Sequence, residues 1–213
     1  EIAIVHNGII ENHDEERIRL TKLGYEFTSQ TDTEVIAHLI HYYYQQSKDL
    51  KLAVVKASAE LQGAYAIAAI ALNETDKIVV ARYGCPLLIG LGQQANYLAS
   101  DVSAVLAETK QIIYLEDGDI AELTVDTVAI QDASGKQVNR KVHTSDVTLS
   151  SMELGPYTHF MQKEIYEQPK AISDTLHALM ELQKFDDSLF GEQANEVFQG
   201  VDSVLILAAG TSY

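Results

Sequence analysis

Ile2-Ala3-Ile4-Val5-His6-Asn7-Gly8 follows directly on the first residue, Glu1. Four consecutive apolar residues read as a buried strand already under way, ending at His6-Asn7-Gly8. The far end has the same character. Ser203-Val204-Leu205-Ile206-Leu207 has strand length and runs into Ala208-Ala209-Gly210-Thr211-Ser212-Tyr213. A strand followed by a small, hydroxyl-bearing loop normally opens a helix that packs back on it. A lone terminal strand has nothing of its own to pair with. Both ends therefore lead us to expect an internal piece of a longer protein.

Between these ends the pattern is helical first and extended later. Asn12 and Glu15 form a capping pair for a helix reaching Leu23, with Gly24 as its stop signal. Thr31 as cap, with Glu34 as its reciprocal partner in a capping box, predicts a second helix start, and Val35, Ile36, Leu39, Ile40 and Tyr43 follow helical spacing. A third helix is expected from Leu50 to Leu61, ended by Gly63. Ala64 to Leu72 is a long apolar run, as in a strand buried on both faces. Short strands are predicted over 77–82, 87–91, 95–99, 112–114, 119–123 and 128–130. Ser100-Asp101 caps a short helix to Leu106, and Asp132-Ala133-Ser134-Gly135 reads as a hairpin turn. Helices followed by a run of short strands give an α+β class, sheets covered by helices. From Lys141 to Gly155 the periodicity fades into a linker. Helices are expected over 157–184, with Pro169 as a kink or break, and over 192–198.

Composition narrows the function classes. The 213 residues are 46% hydrophobic and 22% charged, which excludes collagen-like and disordered chains. Lys plus Arg number 15 against 31 for Asp plus Glu, a net charge of −16. Neither nucleic acid nor an anionic membrane is an expected partner for so acidic a chain. The single cysteine, Cys85, excludes an internal disulfide framework and a Cys-rich zinc site. No apolar run reaches the length of a membrane span and no signal peptide is visible, so a cytoplasmic location is expected.

Few residues offer chemistry. An Asn amide beside a Gly backbone N–H, as in Asn7-Gly8, can aim two donors at one point, the requirement of an oxyanion hole. A plain Asn-Gly turn is the competing reading. Asp32 opens the second helix, where its carboxylate suits a substrate ammonium group or simply the helix dipole. His38 and His41, near Glu34, lack the spacing of a metal motif and read as partly buried histidines. Cys85, before Pro86, has no activating base in sight and reads as structural. Gly210-Thr211-Ser212 suits a phosphate but is no Walker motif.

His6-Asn7-Gly8-Ile9-Ile10-Glu11-Asn12 and Thr31-Asp32-Thr33-Glu34 together resemble the glutaminase domain of class II glutamine amidotransferases. So do Gly63-Ala64-Tyr65, the segment Arg82 to Gly90, and Ala99-Ser100-Asp101. Met161-Gln162-Lys163-Glu164-Ile165-Tyr166-Glu167-Gln168-Pro169 is more specific. It resembles the isomerising glutamine–fructose-6-phosphate aminotransferases, the glucosamine-6-phosphate synthase family, as does Ala208 to Tyr213 at the start of their sugar-isomerase domain.

The resemblance implies an N-terminal-nucleophile hydrolase, a four-layer αββα sandwich that is incomplete here. It covers residues 1–148, with residues 149–213 as linker helices and the first strand of an α/β isomerase domain. It implies an N-terminal Cys nucleophile whose α-amino group is the base, lying before Glu1. Ammonia released from L-glutamine passes through a channel to fructose 6-phosphate, giving glucosamine 6-phosphate and L-glutamate. No metal or organic cofactor is implied, and the parent enzyme is expected to be a homo-oligomer. By motif, Asn7 and Gly8 match the oxyanion-hole pair, Asp32 the carboxylate for the glutamine α-amino group, and Thr211 and Ser212 hydroxyls near the sugar phosphate. The fragment alone is expected to be inactive. The alternative is a nucleophile-free relative acting as a binding or regulatory module.

Overall fold

The computed structural model describes residues 1–145, 154–181, 194–203 and 205. The chain divides into two compact units, Glu1–Met152 and Glu153–Tyr213, which are described separately.

The first unit is built on two antiparallel sheets. The six-stranded sheet has the order β1-β2-β3-β7-β8-β9 and the four-stranded sheet β10-β6-β4-β5. The larger one comprises β1 (Ile2–Ile10), β2 (Gly63–Ala71), β3 (Glu74–Tyr83), β7 (Ile120–Leu123), β8 (Val128–Gln131) and β9 (Gln137–Val138). The smaller comprises β4 (Leu88–Leu91), β5 (Asn96–Ala99), β6 (Gln111–Tyr114) and β10 (Val142–Thr144). Three helices, α1 (His13–Lys22), α2 (Asp32–Ser47) and α3 (Leu50–Ser58), intervene between β1 and β2.

Strand alternation explains the layers. Tyr65, Ile67, Ala69 and Ala71 of β2 join Leu20, Val35, Ile36, Leu39 and Val54 in one core between the sheet and the helices. Ala66 and Val80 turn the other way and meet Ile89, Ile113, Leu123 and Ile130 between the two sheets. A third cluster, Leu88, Val105 and Ile112, lies on the far face of the smaller sheet against the 3-10 turn Val102–Ala104. Asp101 caps that turn through a 2.8 Å bond from the Ser103 N–H.

Several expectations need correction. Strand β1 does not end at His6-Asn7-Gly8 but continues to Ile10. Nor is it buried throughout. It is an edge strand. Ile2, Ile4 and Ile10 pack towards the helices, while Val5 and Ile9 on the opposite face are 69% and 70% exposed. Similarly, Ile70 of β2 is 48% exposed, so that run is buried on both faces only over part of its length. Asn12 occupies the N-cap of α1 without a side-chain cap. Its amide is engaged elsewhere, donating to Glu60 O (2.8 Å) and accepting from Gln62 N–H (3.0 Å). Helix α3 stops at Ser58, before the expected Leu61. The stretch from Lys141, read as linker, holds β10, which pairs with β6.

In the second unit, α4 (Phe160–Glu181) carries the Met161–Pro169 string and runs on through Pro169 without a break. Thr158 N–H and Oγ1 donate to Gln162 Oε1 at its start (3.2 and 3.1 Å). A short α5 (Ala194–Gln199) follows. Apart from Ser203 and Leu205, the expected terminal strand lies outside the described residues, as do Thr211 and Ser212. Among the described residues no helix is long and apolar enough to cross a membrane.

Candidate active site

Asn7 and Gly8 sit on the edge strand, opposite Ala66 and Tyr65 of β2. Gly8 has φ +128°, a conformation reserved for glycine. A Cβ there would fall 2.0 Å from the Ala64 carbonyl oxygen, so β1 and β2 approach as closely as they do only because position 8 has no side chain. Asn7 is exposed, and among the described residues its side-chain amide makes no hydrogen bond.

Asp32 is brought to the same strand from 22 residues away. Its Oδ2 accepts the Ile10 backbone N–H at 2.9 Å. That N–H leaves β1 on the edge not paired with β2, so the free edge of β1 carries the carboxylate. Asp32 is half-buried at the first position of α2, where the helix dipole favours its charge.

The next residue ties helix to strand again. His6 Nδ1 lies 3.0 Å from Thr33 Oγ1. His6 Nε2 is buried without a partner among the described residues. Burial lowers the His6 pKa, opposed by the negative charge of Asp32. His6 is therefore neutral at pH 7.

Thr31 caps α2, its Oγ1 accepting the Glu34 N–H at 3.3 Å. The expected return bond from Glu34 to the Thr31 N–H does not form. Glu34 instead faces the loop ahead of the helix. Its Oε1 accepts from Thr28 N–H and Oγ1 (2.7 and 2.9 Å), and its Oε2 from Ser29 N–H and Oγ (2.7 and 2.6 Å). These bonds, the Ser29 hydroxyl foremost, push the Glu34 pKa down to about 2.

His38 and His41 are partly buried, as expected. His38 packs against the Tyr25 and Phe27 rings at 4.9 and 4.7 Å, and His41 Nδ1 meets Tyr25 OH at 2.8 Å. Cys85 packs at the edge of the inter-sheet core. Among the described residues no group of three or more His, Cys, Asp or Glu is placed to hold a metal ion. A cavity of about 640 Å³ has Ile2, Ala3, Ile70, Leu72, Ile78 and Leu123 among its lining residues. It lies at the other end of β1 and includes none of Asn7, Gly8 and Asp32.

Comparison with known proteins gives the family. A family profile described as a glutamine amidotransferase domain matches residues 1–107. The chain belongs to the glutamine amidotransferase domain family. The chain is similar along its whole length to proteins named glutamine–fructose-6-phosphate aminotransferase (isomerizing). The relative from Xanthomonas campestris pv. campestris is 54% identical over 212 residues, and that from Bordetella pertussis 55%. The chain spans only 35% and 34% of those two proteins. Among solved structures it is similar to the glutamine phosphoribosylpyrophosphate amidotransferase from B. subtilis complexed with ADP and GMP. The identity is 26% and the TM-score 0.54, over 64% of this chain and 30% of that one. A structure titled as the allosteric regulatory enzyme of purine biosynthesis gives 28% and 0.53, over 63% and 29%. The fold is that of the class II, N-terminal-nucleophile amidotransferases, as an incomplete sandwich.

Sequence reasoning missed two participants in this site and misread a third. The Ile10 N–H has no signature in sequence, since any residue supplies one. His6 was visible only as part of a tripeptide. Glu34 was read as half of a capping box, and the neighbouring Thr28-Ser29 pair was the signal that it had other donors to satisfy.

Proposed function

We propose that this chain is the glutamine-hydrolysing part of an enzyme that converts fructose 6-phosphate and L-glutamine into glucosamine 6-phosphate and L-glutamate. The observation that carries the glutaminase reading is the Asp32 carboxylate fixed on the Ile10 N–H, on the strand that holds Asn7-Gly8. The names of the 54–55% identical relatives support the sugar phosphate as acceptor.

In this reading the Asp32 carboxylate pairs with the α-ammonium of glutamine and sets the substrate along the edge of β1. The nucleophile is the N-terminal Cys implied by the family resemblance. Its attack on the side-chain amide carbon places negative charge on the amide oxygen. Alternation along β1 directs the Gly8 N–H off the same free edge as that of Ile10. With the Asn7 amide it supplies two donors for that oxygen. Ammonia leaves, and water releases glutamate. Thr211 and Ser212 take the sugar phosphate of the acceptor.

The test uses the gene product from its own initiation codon, supplied with both substrates. Glutamate and glucosamine 6-phosphate are expected in equal amounts. Asp32→Asn is expected to raise the KM for glutamine about tenfold or more. Asn7→Ala is expected to lower kcat about a hundredfold. No glutamate from glutamine, or an unchanged KM in Asp32→Asn, would overturn the reading.

A further inference from the structure

We propose that Glu34 is a positioning residue for glutamine binding, acting with Arg17 to hold the turn that presents Asp32. The inference rests on the reading of Asp32 as the ammonium-binding carboxylate.

A helix cap needs one bond from residue 34. Here its carboxylate takes four, all from Thr28 and Ser29. Arg17 of α1 grips the opposite side of the same loop, donating from Nη1 to Ser29 O (2.9 Å) and from Nη2 to Thr31 O (2.8 Å). Its guanidinium lies 4.4 Å above the Phe27 ring centre, which limits its own movement. The N–H groups of the loop are thus fixed by an anion and its carbonyls by a cation. Charge-assisted bonds of this kind are the stronger class.

Asp32 follows this loop directly. A recognition carboxylate has to be held within about half an ångström to bind an ammonium group well. The single Ile10 N–H fixes one oxygen of Asp32, and the clamp fixes its backbone. Releasing the clamp lets Asp32 sample positions that do not reach the substrate. That removes ground-state and transition-state binding alike, which raises KM and spares kcat.

The test compares Asp32→Asn, Glu34→Gln, Glu34→Ala and Arg17→Met in the gene product from its own initiation codon. Glutaminase KM and kcat are measured with thermal melting alongside. Glu34→Gln sets an NH2 group against two of the four donors and is expected to raise KM about fivefold. Glu34→Ala is expected to raise it about tenfold, with kcat within about twofold in each. Arg17→Met keeps the apolar stem on Phe27 and tests the carbonyl side independently, with a KM rise of about fivefold expected. A positioning role requires non-additivity. In the Asp32→Asn background, Glu34→Gln should add less than about twofold. If Asp32→Asn raises KM while neither Glu34 nor Arg17 variants do, or if the double variant is fully additive, the positioning role is wrong and the Asp32 reading stands. If Asp32→Asn itself leaves KM unchanged, both fall.

Discussion

Arg140→Leu should destabilise the first unit by about 3–4 kcal/mol. Asp119, at the entrance to β7, is 0% exposed. Arg140, just beyond β9, meets its carboxylate with two bonds, Nε to Oδ2 at 2.9 Å and Nη2 to Oδ1 at 2.7 Å. The Glu116 N–H supplies a third at 2.8 Å. Arg140 Nη1 also touches the Glu116 carboxylate at 2.8 Å, but that side chain is 66% exposed and contributes little. Removing Arg140 leaves a buried charge held by one backbone donor. Breaking a buried pair from one side costs about 3–5 kcal/mol, and the leucine recovers some of this by packing. Against a total stability of about 5–15 kcal/mol the loss is large, about 10 °C in Tm for a unit of this size. Urea unfolding followed by circular dichroism at pH 7 reads it directly. The decisive companion is Asp119→Leu with Arg140→Leu. Replacing a buried pair by apolar residues is often neutral, so the double variant should recover to within about 1 kcal/mol of wild type. A single-variant cost below about 1 kcal/mol, or a double variant no better than the single, would refute the argument.

Gly8→Ala should cost about 2–4 kcal/mol, because a Cβ would lie 2.0 Å from the Ala64 carbonyl oxygen at φ +128°. An unchanged urea midpoint would contradict the close strand approach. Two groups predict pH dependence of the same sign. The lowered His6 pKa means that its contribution is fully present above pH 6.5 and is lost as pH falls through the folded value. For Glu34 the contribution is present above pH 4.5 and lost as pH falls towards about 2. Urea midpoints between pH 8 and 3 should fall less in His6→Gln across the first window and less in Glu34→Gln across the second; curves parallel to wild type would remove the assignment.

What could be read from sequence was what depends on near neighbours. The apolar spacing of Val35, Ile36, Leu39 and Ile40 defines the buried face of α2, and all four are at most 1% exposed. Gly24, at φ +92°, ends the turn after α1 because its conformation excludes most side chains. Asp132 to Gly135 forms its turn from bonds within five residues, Gly135 N–H to Asp132 O at 2.8 Å. Asn7-Gly8 and Asp32 were each legible as candidate site residues, and only the resemblance to a known family joined them in one expected site.

Other features required the chain to come back on itself. Asn12 has the local pattern of a helix start, but its side chain found partners at Glu60 and Gln62, 48 and 50 residues away. A side chain takes whichever donors the fold delivers, and propensity ranks only those nearby. Val5 and Ile9 look like core residues in sequence, yet the face they occupy on an edge strand leaves them exposed. Asp119 with Arg140, and Asp32 with the Ile10 N–H, join residues 21 and 22 apart. Sequence alone therefore determined the periodic elements, their turns and the residue types of the site, because these follow from contacts a few residues apart. The tertiary structure alone decided which polar groups are satisfied by which partners, because burial and charge pairing are set by elements that meet only once the sheets have closed.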